Sequence, residues 1–406
     1  MSCLKEKLQQ DVLDSIDLTT EVSDKELLNT IDQILIVKGR ENYISMQEKR
    51  KLRRDIYNSI RKLDVLQDII EDPSITEIMV NGTKDIFIEQ NGVISRCSIS
   101  FESEEKLEDV VQQIVSQSNR IVNASTPIVD SRLADGSRVN IVLPPIALDG
   151  PVITIRRFPE NPITIDQLIE YESITLEAAE FLKNLVIAKY NIFISGGTGS
   201  GKTTFLNVLS NYIPTSERII TIEDSAELQL RGVANLVRME VRNGNTEGNN
   251  LVSIRDLIKT SLRMRPDRII VGEVRDEAAI DMLQALNTGH EGSLSTGHAN
   301  SPADMLSRLE SLVLLGADIP LLAVRRQIAS AIDIIVHLGR LRDKSRRVLE
   351  ITEVLRMDSN EIILSPLYKL VEKGEKNERI LGELEKVNEL THTEKLSRAG
   401  MSANSK

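Results

Sequence analysis

The stretch NIFISGGTGSGKTTFLNVLSNYI, residues 191–213, decides the fold. Residues 196–203 read Gly-Gly-Thr-Gly-Ser-Gly-Lys-Thr and satisfy G-x-x-x-x-G-K-[ST] in full. That pattern is short enough to arise by chance, so its flanks decide the matter. The apolar NIFIS before it has the length of a strand, and TTFLNVLSNYI after it has the spacing of a helix. Between the two, glycines let the backbone curl so that N–H groups point inward at a phosphate, and the helix N-terminus adds partial positive charge. Lys202 is placed to neutralise β- and γ-phosphates, and the Thr203 hydroxyl to ligate Mg²⁺. Gly197, Thr198, Gly199, Ser200, Gly201, Lys202, Thr203 and Thr204 are therefore the candidate nucleotide-binding residues, with ATP and Mg²⁺ the expected ligands. A flexible glycine loop explains neither the lysine nor the flanking elements.

Outward from this loop, strands and helices alternate. A helix over 176–189 leads into the strand. Beyond the loop the pattern predicts a strand over 218–222, a helix around 253–263 and a strand over 268–271. Helices at 276–287, 302–314 and 321–331 and a strand over 333–338 follow. Such alternation implies a mostly parallel sheet flanked by helices. RIIVGEVRD, 268–276, has the apolar strand that should end in a metal-binding aspartate, but offers Gly272 and then Glu273. Glu273 is thus the candidate for ordering the attacking water. In TIEDSAEL, 221–228, Glu223 and Asp224 close a strand where side chains face the nucleotide crevice, Asp224 being a second candidate for the metal.

The chain has only four histidines in 406 residues, and two of them, His290 and His298, lie in TGHEGSLSTGHANS, 288–301. This run of small residues reads as a mobile loop. The pattern argues against a zinc site, which would want three or four ligands, and the HExxH begun at His290 meets Leu294. His337, in an apolar run, reads as a hydrogen-bonded strand histidine, and His392 as solvent-exposed.

Toward the N-terminus the texture changes. Residues 1–66 read as a helical segment, with S-x-x-E capping boxes at Ser23–Glu26 and Ser45–Glu48 ahead of apolar residues at helical spacing. The basic KRKLRR at 49–54 reads as a solvated helix face. Residues 67–160 read as a smaller α+β domain: strands near 76–80, 85–90 and 93–98, a helix over 103–118, then further strands. Residues 161–174 form a linker, and 356–406 a charged, weakly periodic tail in which 383–406 reads as frayed. The net charge of −11 and the 3% of aromatics argue against nucleic acid as a partner. The charged first twenty residues show no signal peptide, and no apolar run reaches membrane-spanning length. Cys3 and Cys97 form no closely spaced metal pair and read as free thiols of a reducing cytoplasm.

The order GGTGSGKTT, TIEDSAEL, LRMRPDRIIVGEVRD, TGHEGSLSTGHANS resembles the secretion ATPases of the type II/type IV secretion superfamily, with their Walker A, Asp box, atypical Walker B and His box. VDSRLADGSRVNIVLPPIALDGPVITIRRF, 129–158, resembles their N-terminal domain, most closely in the CpaF/TadA subgroup serving Flp (tight-adherence) pili. The resemblance runs from about residue 45 to 355 and implies a RecA-like ATPase domain over 175–355. It also implies a homohexamer, peripheral on the cytoplasmic face of the inner membrane, acting on inner-membrane platform proteins and through them on pilin-like cargo. It makes His298 a phosphate contact that senses the γ-phosphate, with His290 either coupled to neighbouring carboxylates or structural. It carries over Arg138 and Arg156 as N-terminal-domain arginines reaching the phosphates, with Arg132 and Arg157 as runners-up. A conjugation or effector-secretion ATPase, and a nucleotide-gated scaffold without useful turnover, are the rival readings.

Overall fold

The structure is a computed structural model that describes residues 2–16, 22–41, 43–90, 92–117, 120–157, 162–242 and 251–401. The chain divides into two compact units, Met1–Glu160 and Asn161–Lys406. The first begins with helices α1 (Ser2–Asp14), α2 (Asp24–Glu41) and α3 (Met46–Arg61), followed by a 3-10 turn at Asp64–Leu66 and the short α4 (Gln67–Glu71). Leu8, Val12, Leu27, Ile31, Leu35 and Ile56 form the core of the three helices. Both expected capping boxes are present. Glu26 accepts the Ser23 N–H at 2.9 Å and Glu48 the Ser45 N–H at 2.9 Å, so the start of each helix satisfies its own orphan donors.

Strands β1 (Ile75–Asn81), β2 (Asp85–Gln90) and β3 (Val93–Arg96), helix α5 (Glu104–Gln117), and strands β4 (Ile128–Arg132), β5 (Arg138–Val142) and β6 (Val152–Arg156) complete this unit. The six strands form one antiparallel sheet in the order β3-β2-β1-β6-β5-β4. Alternation decides its faces. Ile78, Val80, Val139, Ile141, Ile153 and Ile155 are buried with Leu107, Val111 and Ile114 of α5, while the intervening residues are polar or half-exposed.

The second unit starts with α6 (Ile165–Glu170), a capped helix within the stretch read as a linker, while Pro159, which opened that linker, lies outside the described residues. Then follow α7 (Leu176–Ile187), β7 (Ile192–Gly196), α8 (Lys202–Ser210), β8 (Ile219–Glu223), β9 (Leu236–Glu240), α9 (Ile254–Ser261), β10 (Arg268–Val271), α10 (Ala278–Asn287) and β11 (Leu294–His298). They continue with α11 (Pro302–Gly316), α12 (Leu321–Ala331), β12 (Ile334–Arg340), β13 (Arg346–Asp358), β14 (Glu361–Lys376), β15 (Arg379–Lys386) and α13 (Glu394–Arg398). The sheet order is β15-β14-β13-β12-β7-β11-β10-β8-β9. Strands β12, β7, β11, β10, β8 and β9 are parallel, and β13–β15 extend the sheet antiparallel. Helices cover both faces. Ile192 and Ile194 pack toward α7 and α8, and the intervening Phe193 packs toward α9–α12. A strand buried on both sides must be apolar throughout, which is why NIFIS is a run rather than an alternation.

The C-terminal stretch corrects the frayed tail. It pairs into β14 and β15, and α13 seats Leu396, 3% exposed, on the core shared with Leu367, Tyr368 and Leu384. One covered face needs few apolar residues, so the charged half of each strand masked the pattern. Residues 402–406 of that tail lie outside the described residues.

At the end of the parallel strands remote from the glycine loop sits a buried ion pair. Arg268 is wholly buried. Its Nε and Nη2 meet Glu217 at 2.6 and 3.0 Å, and its Nη1 donates to the carbonyls of Val186 (2.6 Å) and Gly292 (3.2 Å). Gly292, at φ +82°, leaves room for it, since a Cβ there would fall 2.6 Å from Arg268 Nη1. Glu217 is partly exposed and keeps Lys189 at 3.8 Å, so Arg268→Met chiefly unpairs the Val186 and Gly292 carbonyls and should lower folding stability by about 1–3 kcal/mol, read from the urea midpoint.

Candidate nucleotide site

Strand β7 ends at Gly196, and α8 begins six residues later at Lys202. A Cβ on Gly196 would fall 2.5 Å from the Leu338 carbonyl and 2.6 Å from Ser200 Oγ, so only glycine passes between β12 and the loop. Gly199 and Gly201 hold φ of +72° and +94°, and Gly201 caps α8 with no side-chain bond, leaving the first N–H groups of the helix for an anion. Ser200 Oγ donates to the Gly197 carbonyl at 2.9 Å. Gly197, Thr198 and Gly199 are exposed, and Thr203 and Thr204 half-buried on the first turn. Lys202 is buried, and its ammonium donates to the Gly197 carbonyl at 2.9 Å and to His298 Nδ1 at 3.2 Å.

The histidine stretch is not a mobile loop. Its second half is β11, paired with β7 so that Leu294 faces Ile192 and His298 faces Gly196. Small residues mark tight packing here: a Cβ on Gly297 would come within 3.0 Å of Met305 and Phe193. His298 therefore sits on a strand end beside the glycine loop. Because a lysine ammonium can only donate, His298 Nδ1 accepts from Lys202, and its Nε2–H is left to donate to Glu273 Oε1 at 3.1 Å. Burial, then the charges of Lys202, Arg308 and Arg275, hold the His298 pKa below its ordinary value, which keeps this neutral tautomer. Burial also lowers the Lys202 pKa, with Glu273 opposing. His290 lies before β11, and its Nδ1 meets the Ala285 carbonyl at 3.2 Å; no carboxylate contact is present among its described bonds. His337 is buried and bonded to Ser195 Oγ at 2.9 Å, as read. His392, read as solvent-exposed, is partly exposed and also meets the buried Glu353 at 2.9 Å.

The carboxylates explain the missing aspartate. Gly272 follows β10, and a Cβ there would lie 3.0 Å from Glu223 Cγ, so the side chain of Glu223 from neighbouring β8 occupies the space. Glu223 is 3% exposed. Its Oε2 accepts the N–H groups of Glu227 (2.6 Å) and Leu228 (3.0 Å), while its Oε1 is buried without a hydrogen-bond partner among the described residues. Burial pushes its pKa up, against those two backbone bonds. Arg275 links the remaining acids, in contact with Asp224 and 3.8 Å from Glu273 Oε2. A continuous polar chain thus runs Lys202–His298–Glu273–Arg275–Asp224.

In the first unit, strand register aligns the arginines. Arg132 faces Arg138, Arg138 faces Arg156, and Arg156 faces Glu77. Residues directly opposite share a face, so three guanidinium groups stand in one row on the face away from α5. Arg157 points elsewhere and donates to the carbonyls of Asp72 and, at 3.2 Å, Ile75, which is a structural role.

Residues 60–393 match the model of the family described as Type II/IV secretion system protein. The chain belongs to that family. A putative conjugal transfer protein of Mycobacterium tuberculosis is 33% identical over 304 residues, covering 73% of this chain and 86% of the relative. The conjugal transfer protein TrbB of Rhizobium radiobacter is 34% identical over 306 residues, covering 73% and 90%. The X-ray structure of the Legionella pneumophila ATPase DotB shares the fold at a TM-score of 0.51 and 21% identity, over 71% of this chain and 79% of that one. The expected secretion ATPase superfamily holds at that level.

Two features of this secretion-family site escaped the sequence reading. Arg346, opening β13, donates through Nε to the Gly199 carbonyl at 2.9 Å. Arg275 lies inside the quoted RIIVGEVRD but was given no role. The basic run GRLRDKSRR, 339–347, was the signal for the first. Beside Gly201 and Thr204, a cleft of about 270 Å³ opens over Phe205, Leu338 and Val348, with Tyr171 and Arg346 also lining it. No group of three or more metal-ligating side chains occurs among the described residues. Mg²⁺ takes one or two protein ligands and fills its sphere with phosphate and water, so the donor set fits such an ion, and Thr203 on the first turn of α8 would be the protein ligand.

Proton titration of His298 followed by NMR should show a midpoint below 6.5. Lys202→Met should raise it by removing the neighbouring cation. An unchanged or lower midpoint in that variant would contradict the bond assigned here.

Proposed function

We propose that this chain is the Mg-ATP-hydrolysing motor of a cell-envelope secretion machine, working as a homohexamer at the cytoplasmic face of the inner membrane. The Lys202–His298–Glu273 chain carries the reading. Its bonds engage the same groups that nucleotide would claim. ATP draws Lys202 from His298 and the Gly197 carbonyl to the β- and γ-phosphates. The His298 Nε2–H then exchanges Glu273 for a γ-phosphate oxygen. That exchange frees the Glu273 carboxylate to accept a proton from the water attacking the γ-phosphorus, as the bond to the ADP oxygen breaks. Thr203, with Asp224 a further candidate, would hold a Mg²⁺ that supplies charge neutralisation when bound. Arg138 and Arg156 are assigned to the transition-state charge, which a guanidinium fork suits. Glu223, buried with a raised pKa, is assigned to fixing the water network. Loss of γ-phosphate restores the His298–Glu273 bond and releases the arginines.

The segments assigned to this work are the N-terminal helices 1–66, the α+β domain 67–160, the connection 161–174, the RecA-like domain 175–355 and the residues beyond. The cargo reading is export of pilin-like subunits of a Flp pilus through inner-membrane platform proteins. It rests on the CpaF/TadA resemblance of residues 129–158. A second reading, a conjugation ATPase, is favoured by the names of relatives that are 33–34% identical.

Glu273→Gln should lower ATP turnover by about 10²-fold or more while leaving nucleotide binding, read by fluorescent-nucleotide titration, nearly intact. Background turnover in both proteins would favour the scaffold reading. Arg138→Ala should reduce hydrolysis far more than affinity, and equal loss of both would remove its transition-state role. Affinity capture from detergent-solubilised membranes with the Glu273→Gln protein separates the cargoes. Recovery of a multi-spanning platform protein with pilin-like subunits supports the pilus, and recovery of a conjugation channel or coupling protein supports transfer.

A further inference from the structure

A second cleft opens in the second unit, at the end of the parallel strands remote from the glycine loop. Tyr190 and Asp333, which precede β7 and β12, line it together with α12, the end of β13 with its turn into β14, and α13. Its volume is about 790 Å³, within the range of small-molecule sites. Ligands of a parallel sheet gather at the carboxyl ends of its strands, so this cleft is no extension of the nucleotide crevice.

The walls are tied in place. The Tyr190 hydroxyl donates to the His392 carbonyl at 2.5 Å, and the buried Glu353 accepts the N–H groups of Thr391 and His392 at 2.9 and 2.8 Å. Lys395 of α13 donates to Asp333 at 2.7 Å. Arg325 of α12 donates to the Asn360 carbonyl at 2.9 Å, joining that helix to the β13–β14 turn.

Each of the three walls brings one further guanidinium to the cleft: Arg326 from α12, Arg356 from β13 and Arg398 from α13. All three are exposed, and none has a hydrogen-bond or ion-pair partner among the described residues. Arg325, the preceding residue on α12, is by contrast held by Glu310 at 2.8 Å. The acids of the cleft are mostly spent elsewhere. Asp333 and Glu291 meet Lys395 at 2.7 and 3.6 Å. Glu394 stands one turn before Arg398 on α13, a spacing that favours pairing, yet no ion pair joins them. In a chain of net charge −11, three like charges thus share one concave site without the acids that would offset them.

We infer that this cleft binds a small polyphosphate anion, held by Arg326, Arg356 and Arg398. Planar guanidinium forks suit phosphate oxygens, and three of them on separate elements match a compact ligand charged at several points. A single carboxylate would leave two of the three unanswered. Ser330 and Asn360 add neutral donors to the lining. The site is distinct from the glycine loop and does not depend on the nucleotide chemistry proposed above.

The test is isothermal titration of sodium tripolyphosphate, without Mg²⁺ and at low salt, into the full chain carrying Lys202→Met, which removes the main cation of the glycine loop. One tripolyphosphate should bind per chain, more weakly as salt is raised. Adding Arg326→Gln with Arg356→Gln should weaken binding about tenfold or more, and adding Arg398→Gln alone should weaken it measurably. In the chain with Lys202 intact, the same arginine substitutions should leave the thermal unfolding midpoint and ATP hydrolysis unchanged, which controls for folding. No binding, or binding that the arginine substitutions leave intact, as residual occupation of the glycine loop would give, would overturn the inference. So would equally tight binding of triglutamate, which would assign the cleft to an acidic peptide. Absence of ATP hydrolysis with tripolyphosphate binding intact would count against the nucleotide reading alone.

Discussion

The hydrogen-bonded register between β7 and β11 is the constraint on which the phosphate end of the molecule depends. It sets His298 opposite Gly196, and a slip of one residue would turn the imidazole to the other face of the sheet. The register is fixed by packing. Gly297 must pass Phe193 and Met305, and no larger residue would let β11 come as close to its neighbours. From that placement follows the bond to Lys202, and from the lysine's inability to accept follows the tautomer that binds Glu273.

The same economy of space governs the acidic side. A glycine stands at 272 because the adjacent strand already delivers Glu223 into that volume. The carboxylate nearest that point thus comes from the adjacent strand. Its burial raises the carboxyl pKa, and two backbone N–H groups limit the rise. At the far end of the sheet, Arg268 and Glu217 fill the interior with a pair whose remaining donors reach backbone carbonyls, so both ends of the parallel strands are tied by polar bonds and the middle by apolar packing.

What was legible in the sequence followed from burial on two faces. Runs such as NIFIS and RIIV can be little else than inner strands, and the glycine loop between strand and helix named its own chemistry. Strand β11 was illegible because Ser295, Thr296 and Gly297 carry no apolar signal; their strand character comes from neighbours distant in sequence. Strands β14 and β15 were obscured by charge. Lys373 pairs with Glu383 and Glu385, and Arg342 with Glu372 and Glu375, partners that no local window of sequence connects. The arginine row of β4, β5 and β6 was found residue by residue through family resemblance, but its alignment needed the strand register.

Arg346 ties these late strands to the glycine loop. It opens β13, whose other residues pair with β14 on one side and β12 on the other. A fragment ended at residue 355, where the motifs stop, would leave β13 as a raw edge and strip Leu367, Tyr368 and Leu384 from the core beneath α7. The folding unit around the glycine loop therefore extends through β15, and the boundary of the motifs is not the boundary of that unit.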